Sequence, residues 1–266
     1  MVFSLILFFL TAQFIWSPQK ISFCRAFLMT GTISENLLNI HDRIAKAARR
    51  AGRDPGEVTI IAVTKTVEPK RIKEAISAGL RVFGENYVQE AQEKIDKFKE
   101  KKLRWHFIGH LQKNKVKLAV ELFDLIHTVD SVELAQEINK RAKEPADILI
   151  EVNIAKENTK AGIDPEGAVK LARAVSAMPH LRLRGLMAIP PSFEQPEMSR
   201  PYFAMVRRLA ERINKEKLPG VYIRELSMGM SNDFEVAIEE GATMVRLGTA
   251  IFGARAVSEK KAAKSA

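Results

Sequence analysis

The sequence predicts an α/β fold, a single (β/α)8 TIM barrel. Three observations carry this. Short β-branched apolar runs alternate with amphipathic stretches eight times, in units of roughly 25–30 residues, the spacing of such barrels. The chain length of 266 residues suits one barrel. No Gly-x-Gly-x-x-Gly follows the first strand, which argues against an open dinucleotide-binding sheet.

The elements are expected in this order. Residues 33–51 carry Leu37, Ile40, Ile44 and Ala47 at helical spacing, with Ser34 as the expected N-cap. A loop at 52–57 leads to VTIIAVTKT at 58–66, a buried strand that ends in a lysine. Side chains alternate along a strand, so Thr59, Ile61, Val63 and Lys65 share one face. Both faces are mostly apolar, as in a strand covered on both sides. Strands then follow at 81–86, 104–109, 125–129, 148–153, 183–189, 223–227 and 244–247. Helices are expected at 69–78, 88–99, 113–122, 131–142, 165–177, 200–216 and 232–239, with Ile251 and Phe252 in a last turn.

The barrel is expected at 29–256, between an apolar extension at 1–28 and a basic tail at 257–266. Residues 2–16 are nearly all apolar and carry no charge, yet are short for a membrane span and lack the positive leading region of a secretory signal. A wrongly extended start is the favoured reading, against an anchor or a targeting segment. Cys24 is the lone cysteine, so no disulfide framework is expected, and the cytoplasm is the default compartment. The net charge of +10 permits a nucleic-acid partner. The basic residues are spread over helix faces such as 94–102 and 207–217, however, so solvated faces and no nucleic-acid partner are the reading.

Barrel chemistry collects at the C-terminal ends of the strands. Three features there have a physical case. Lys65 sits at the mouth of an apolar interior, where a neutral amine can attack an aldehyde and form a Schiff base; the bland alternative is a lysine that snorkels to solvent. Ser231 and Asn232 open the helix after the seventh strand and Gly248-Thr249 follow the eighth strand, the loops where barrels hold phosphate. A simple N-cap at Ser231 or Asn232 is the alternative. Arg246 shares the inward face with Met244 and Gly248, while Val245 and Leu247 face the helices. A buried guanidinium needs a partner, either a structural carboxylate or a ligand atom. Lysine, phosphate cradle and inward arginine together suggest pyridoxal 5′-phosphate (PLP).

Several long runs then carry a resemblance: AVTKT (62–66), FGENYVQEAQEK (83–94), WHFIGHLQKNK (105–115), HTVDS (127–131), VNIAKENTKAGI (152–163), RGLMAI (184–189) and LSMGMSNDFEVAIEEGATMVRLGTAIFG (226–253). From about residue 34 to 255 the chain resembles the YggS/PROSC pyridoxal phosphate homeostasis proteins. The resemblance implies a barrel like the alanine racemase N-terminal domain, the fold-type III PLP architecture. It implies PLP as a Schiff base on Lys65, phosphate contacts from Ser231, Gly248 and Thr249, and Arg246 on the pyridine nitrogen. Asn86 and Met228 would line the ring. It implies a PLP carrier in intracellular vitamin B6 homeostasis that passes the cofactor to apo PLP-dependent enzymes, without a robust catalytic reaction. A monomer or weak dimer with no stable membrane partner is expected.

The alternative is a Schiff-base enzyme such as a minimal amino-acid racemase or an aldolase. An arginine on the ring nitrogen weakens the ring as an electron sink. Racemases of this fold add a tyrosine base, whereas Tyr87, Tyr202 and Tyr222 read as packing or surface residues. His106 and His110 could serve as acid–base groups near the mouth or as hydrogen-bonded structural histidines, and Lys160 could lie near the site or on the surface.

Overall fold

A computed structural model of the protein describes residues 31–99, 102–157 and 160–254. The expectations for 1–28, for Cys24 and for 257–266 lie outside the described residues. The strands are β1 (Thr59–Val63), β2 (Val82–Glu85), β3 (Arg104–Phe107), β4 (Leu125–Val129), β5 (Ala146–Val152), β6 (Leu181–Ala188), β7 (Glu225–Met230) and β8 (Met244–Leu247). All pair in parallel and in chain order, and β8 returns to β1, with Ile61 opposite Arg246. The predicted closed barrel is the observed one.

Strand alternation divides the core in two. Ile60, Ala62, Val245 and Leu247 join the large helix-side core, while Ile61, Val82, Leu125, Leu149, Met187 and Met244 form a separate interior cluster. That is the expected assignment of the two faces of β8. Around the sheet run α1 (Ile33–Arg50), α2 (Pro69–Ser77), α3 (Val88–Phe98), α4 (Val116–Leu122), α5 (Val132–Arg141), α6 (Pro165–Ser176), α7 (Arg200–Lys215), α8 (Phe234–Glu239) and α9 (Thr249–Phe252). No described helix is long and apolar enough to cross a membrane.

Some boundaries differ from the expected ones for local reasons. The α1 N-cap is Thr32, not Ser34: Glu35 N donates to Thr32 Oγ1 at 3.2 Å and Thr32 N to Glu35 Oε2 at 2.7 Å, a reciprocal capping box. β7 starts at Glu225, not at 223. Asn214 of α7 accepts from Ile223 N at 2.7 Å and donates to Ile223 O at 3.0 Å, so both backbone groups of Ile223 are committed before the ladder begins. α8 starts at Phe234, because Asp233 Oδ1 accepts from Met230 N at 2.7 Å and closes a turn first. α4 is entered through a 3-10 turn at Lys113–Lys115. β1 stops at Val63, and Thr66 two residues past Thr64 has φ 61°, a left-handed conformation that no strand continues through.

Candidate cofactor site

Lys65 lies half-buried in the turn between β1 and Thr66, at the C-terminal mouth of the barrel. The peptides on both sides of it are gripped from α3. Lys94 Nζ donates to Thr64 O at 2.6 Å, to Glu85 Oε1 at 2.7 Å and to Glu90 Oε1 at 2.7 Å. Glu90 Oε1 accepts from Thr66 N at 2.7 Å, and Glu85 Oε1 accepts from the Thr64 hydroxyl at 2.6 Å. Burial pushes the Glu85 carboxyl upward, against the hydrogen bonds of Lys94 and Thr64 that favour its charged form. Lys94 is only 6% exposed, so its reading as part of a solvated basic face is corrected. Its three acceptors hold the left-handed turn that presents Lys65.

The loops after β7 and β8 meet beside this turn. Ser231 Oγ accepts from Ala250 N at 3.1 Å, so neither it nor Asn232 is an N-cap; the cap position is Asp233. Asn232 instead donates to Phe193 O at 3.1 Å. A cavity of about 680 Å³ is lined by Ser231, Asn232, Thr249 and Ala250 together with Asn36 and Arg43 of α1. Gly248 faces Val63: a Cβ built on it would fall 3.7 Å from Val63 Cβ, in space the glycine leaves open. On the β3 side, a Cβ on Gly109 would lie 2.1 Å from Asn86 O, so glycine alone lets that loop close over Asn86.

Arg246 is buried inside the barrel, as expected, but its partners are neutral. Nη1 donates to Ser227 O at 2.6 Å and to Ser227 Oγ at 2.7 Å, and Nη2 to Ala188 O at 3.0 Å. No carboxylate lies within ion-pair distance among the described residues, so the structural-carboxylate alternative is not what is observed. Burial lowers the guanidinium to about 10, which leaves it charged at neutral pH. Ser227 continues to His127 Nδ1 at 3.0 Å, and His127 Nε2 to His106 Nδ1 at 3.1 Å. Burial drives both imidazoles toward the neutral form, His106 to about 3. His106 is thus a buried, hydrogen-bonded histidine inside the barrel and not a group at the C-terminal mouth. His110 is exposed and lines a separate cavity of about 490 Å³ with Asn86 and Tyr87.

Two further atoms are orphaned near the strand ends: Asn86 Oδ1 and Glu151 Oε2 are buried without a hydrogen-bond partner. Burial, then the nearby Asp130 charge, raises the Glu151 carboxyl to about 7, with Arg246 opposing. Orphaned polar atoms, an unfilled glycine cradle, a lysine on a clamped turn and a buried cation form a set that a polar ring with an anionic phosphate would satisfy.

Met228 does not join this set, because it is fully buried in the helix-side core. Lys160 is half-exposed, pairs with Glu157 at 2.7 Å and reaches Pro190 O at 3.2 Å. Tyr87 and Tyr222 are exposed and Tyr202 stacks on Phe193, as packing or surface residues do. Sequence reasoning missed Lys94, Glu85, Glu151, His127 and Ser227. Charged or polar residues inside apolar strand runs (VFGE, ILIEV, LIHTV) were the available signal for three of them, Glu85, Glu151 and His127.

The alanine racemase N-terminal domain family matches residues 36–256. A pyridoxal phosphate homeostasis protein of Escherichia coli K12 is 48% identical over 235 residues, covering 86% of this chain and 99% of that one. The protein of that name from Aquifex aeolicus is 47% identical over 224 residues, covering 83% and 97%. Among solved structures, PipY of Synechococcus elongatus with PLP bound superposes with a TM-score of 0.72 at 36% identity, covering 84% of this chain and all of that one. Alanine racemase from Corynebacterium glutamicum, at 16% identity and a TM-score of 0.61, shares the fold over 82% of this chain and 62% of its own length. With identities of 47–48% over more than four-fifths of the chain and the family match over residues 36–256, the chain belongs to the pyridoxal phosphate homeostasis protein family, built on the alanine racemase N-terminal domain.

Proposed function

We propose that this protein binds PLP at the C-terminal mouth of the barrel, as a Schiff base on Lys65, and passes it to apo PLP-dependent enzymes in cytoplasmic cofactor homeostasis. The observation that carries the reading is the convergence of the clamped Lys65 turn with Gly248, Thr249 and Ser231. In this reading Ser231, Gly248 and Thr249 hold the phosphate, Arg246 meets the pyridine nitrogen and Asn86 lies beside the ring. PLP supplies the aldehyde and the conjugated ring; the chain supplies the amine, the phosphate donors and the fixed cation.

The test is transfer. PLP-loaded protein is mixed with an apo-aminotransferase while a phosphatase destroys free PLP, and activity is followed. Recovery faster than release into solution supports delivery; recovery abolished by the phosphatase contradicts it. Thr249→Val is expected to weaken PLP binding about tenfold by removing one hydroxyl donor to an anion, read by equilibrium dialysis.

One observation favours a second reading, a Schiff-base enzyme: Glu151 is a buried carboxyl that titrates near neutrality. Exchange of the α-proton of alanine in heavy water, lost in Glu151→Gln, would support it. No exchange above the solution background would end it.

A further inference from the structure

The far end of the barrel carries a third cavity, of about 450 Å³, within the usual range for small-molecule sites. Arg104 of β3, Arg182 and Arg184 of β6, and Arg224 just before β7 line it. Three carboxylates also line it, and each already has a partner. Asp147 accepts from Arg182 Nε at 2.5 Å and lies 3.1 Å from Arg184 Nε. Asp124 accepts from Trp105 N at 2.7 Å, and Glu225 from the Thr243 hydroxyl at 2.7 Å. Arg104 and Arg224 form no ion pair among the described residues.

The inner wall is His106, 2% exposed, and the hydrogen bonds fix what it offers. Arg246 can only donate, so Ser227 Oγ accepts from it. The Ser227 hydroxyl proton then goes to His127 Nδ1, its remaining neighbour. His127 is neutral, so its proton is on Nε2 and is donated to His106 Nδ1. His106, also neutral, must carry its own proton on Nε2. The ring therefore faces the cavity with a donor, as the guanidiniums do.

We propose that this N-terminal mouth is a second ligand site, for a small phosphate-bearing anion held by Arg104, Arg224 and His106 Nε2–H. Planar guanidiniums arriving from β3 and from the segment before β7 match the several oxygens of a phosphate group. The same hydrogen-bond chain ends on Arg246, so an anion here is linked through Ser227 and His127 to the guanidinium at the cofactor site. That linkage, unlike the site itself, rests on the cofactor reading above.

The experiment uses the full chain, labelled with 15N-histidine and freed of cofactor, titrated with sodium pyrophosphate at constant ionic strength. Before titration, His106 and His127 should both show neutral Nε2–H signatures. Pyrophosphate should move the His106 signals saturably, and Arg104→Gln and Arg224→Gln should each weaken the effect about tenfold, one charge-assisted contact apiece. An Nδ1–H signature for His106 would overturn the proposal. So would a linear response matched by sodium chloride, or an unchanged titration in the double variant. None of these readouts involves Lys65, so failure of the cofactor reading would appear separately, in the visible absorbance of the protein mixed with PLP.

Discussion

Lys94→Met is expected to destabilise the barrel by about 3–5 kcal/mol, the cost of removing one partner from a buried ion pair. Lys94 and Glu85 are 2.7 Å apart, with side chains 7% and 0% exposed. Without the ammonium, Glu85 keeps only the Thr64 hydroxyl on Oε1, while its Oε2 already has no partner. The Thr64 carbonyl and Glu90 also lose their shared donor. Urea denaturation of wild type and variant measures the loss. Adding Glu85→Gln to Lys94→Met should recover part of it, because the uncompensated charge is then gone. A loss under about 1 kcal/mol would mean that the pair behaves as an exposed one. The variant should also hold PLP poorly, since the left-handed turn at Thr66 loses its grip.

Glu151 sets the second large effect, a fall in stability as pH rises. Its folded carboxyl titrates near 7 against an ordinary value of 4.5, so the folded state binds the proton more tightly than the unfolded chain. The associated stability is fully present below about pH 4.5 and is lost as pH rises through 7. The full loss is about 3 kcal/mol by the free energy of one pKa unit. Glu151→Gln should abolish this component. Glu85 shifts in the same direction, so the quantity to read is the difference between wild type and variant at pH 5 and pH 8 in the cofactor-free protein. Equal pH profiles would show that Glu151 is charged and solvated in the fold.

These two side chains mark where sequence reasoning stops. The barrel was legible because each strand run is short, β-branched and followed by a helical pattern; β4 and β8 have the expected bounds. The direction of Arg246 was legible from alternation alone, because nothing interrupts β8. β7 was misplaced because Asn214, far along the chain, captures Ile223, and local propensity carries no trace of that contact. Met228 was assigned to the ring by resemblance, whereas alternation from the inward Ser227 already turns Met228 toward the helices, where it is buried. Lys94 looked like any lysine on a charged helix; only the fold shows that its turn of α3 packs over the end of β1. Lys65 and the loops after β7 and β8 were legible as strand ends, while the polar chain from Arg246 to His106 needed the closed barrel to bring β3, β4, β7 and β8 together.

The central claim is that Lys65 carries PLP. It is tested by the visible absorbance of purified wild type and Lys65→Ala with added PLP, after removal of the unbound excess and before and after borohydride. The account predicts a yellow wild type whose band is bleached by borohydride, with the pyridoxyl group then fixed to Lys65, and a variant without that band. A wild type that stays colourless, or a variant with the same band bleached in the same way, would contradict it.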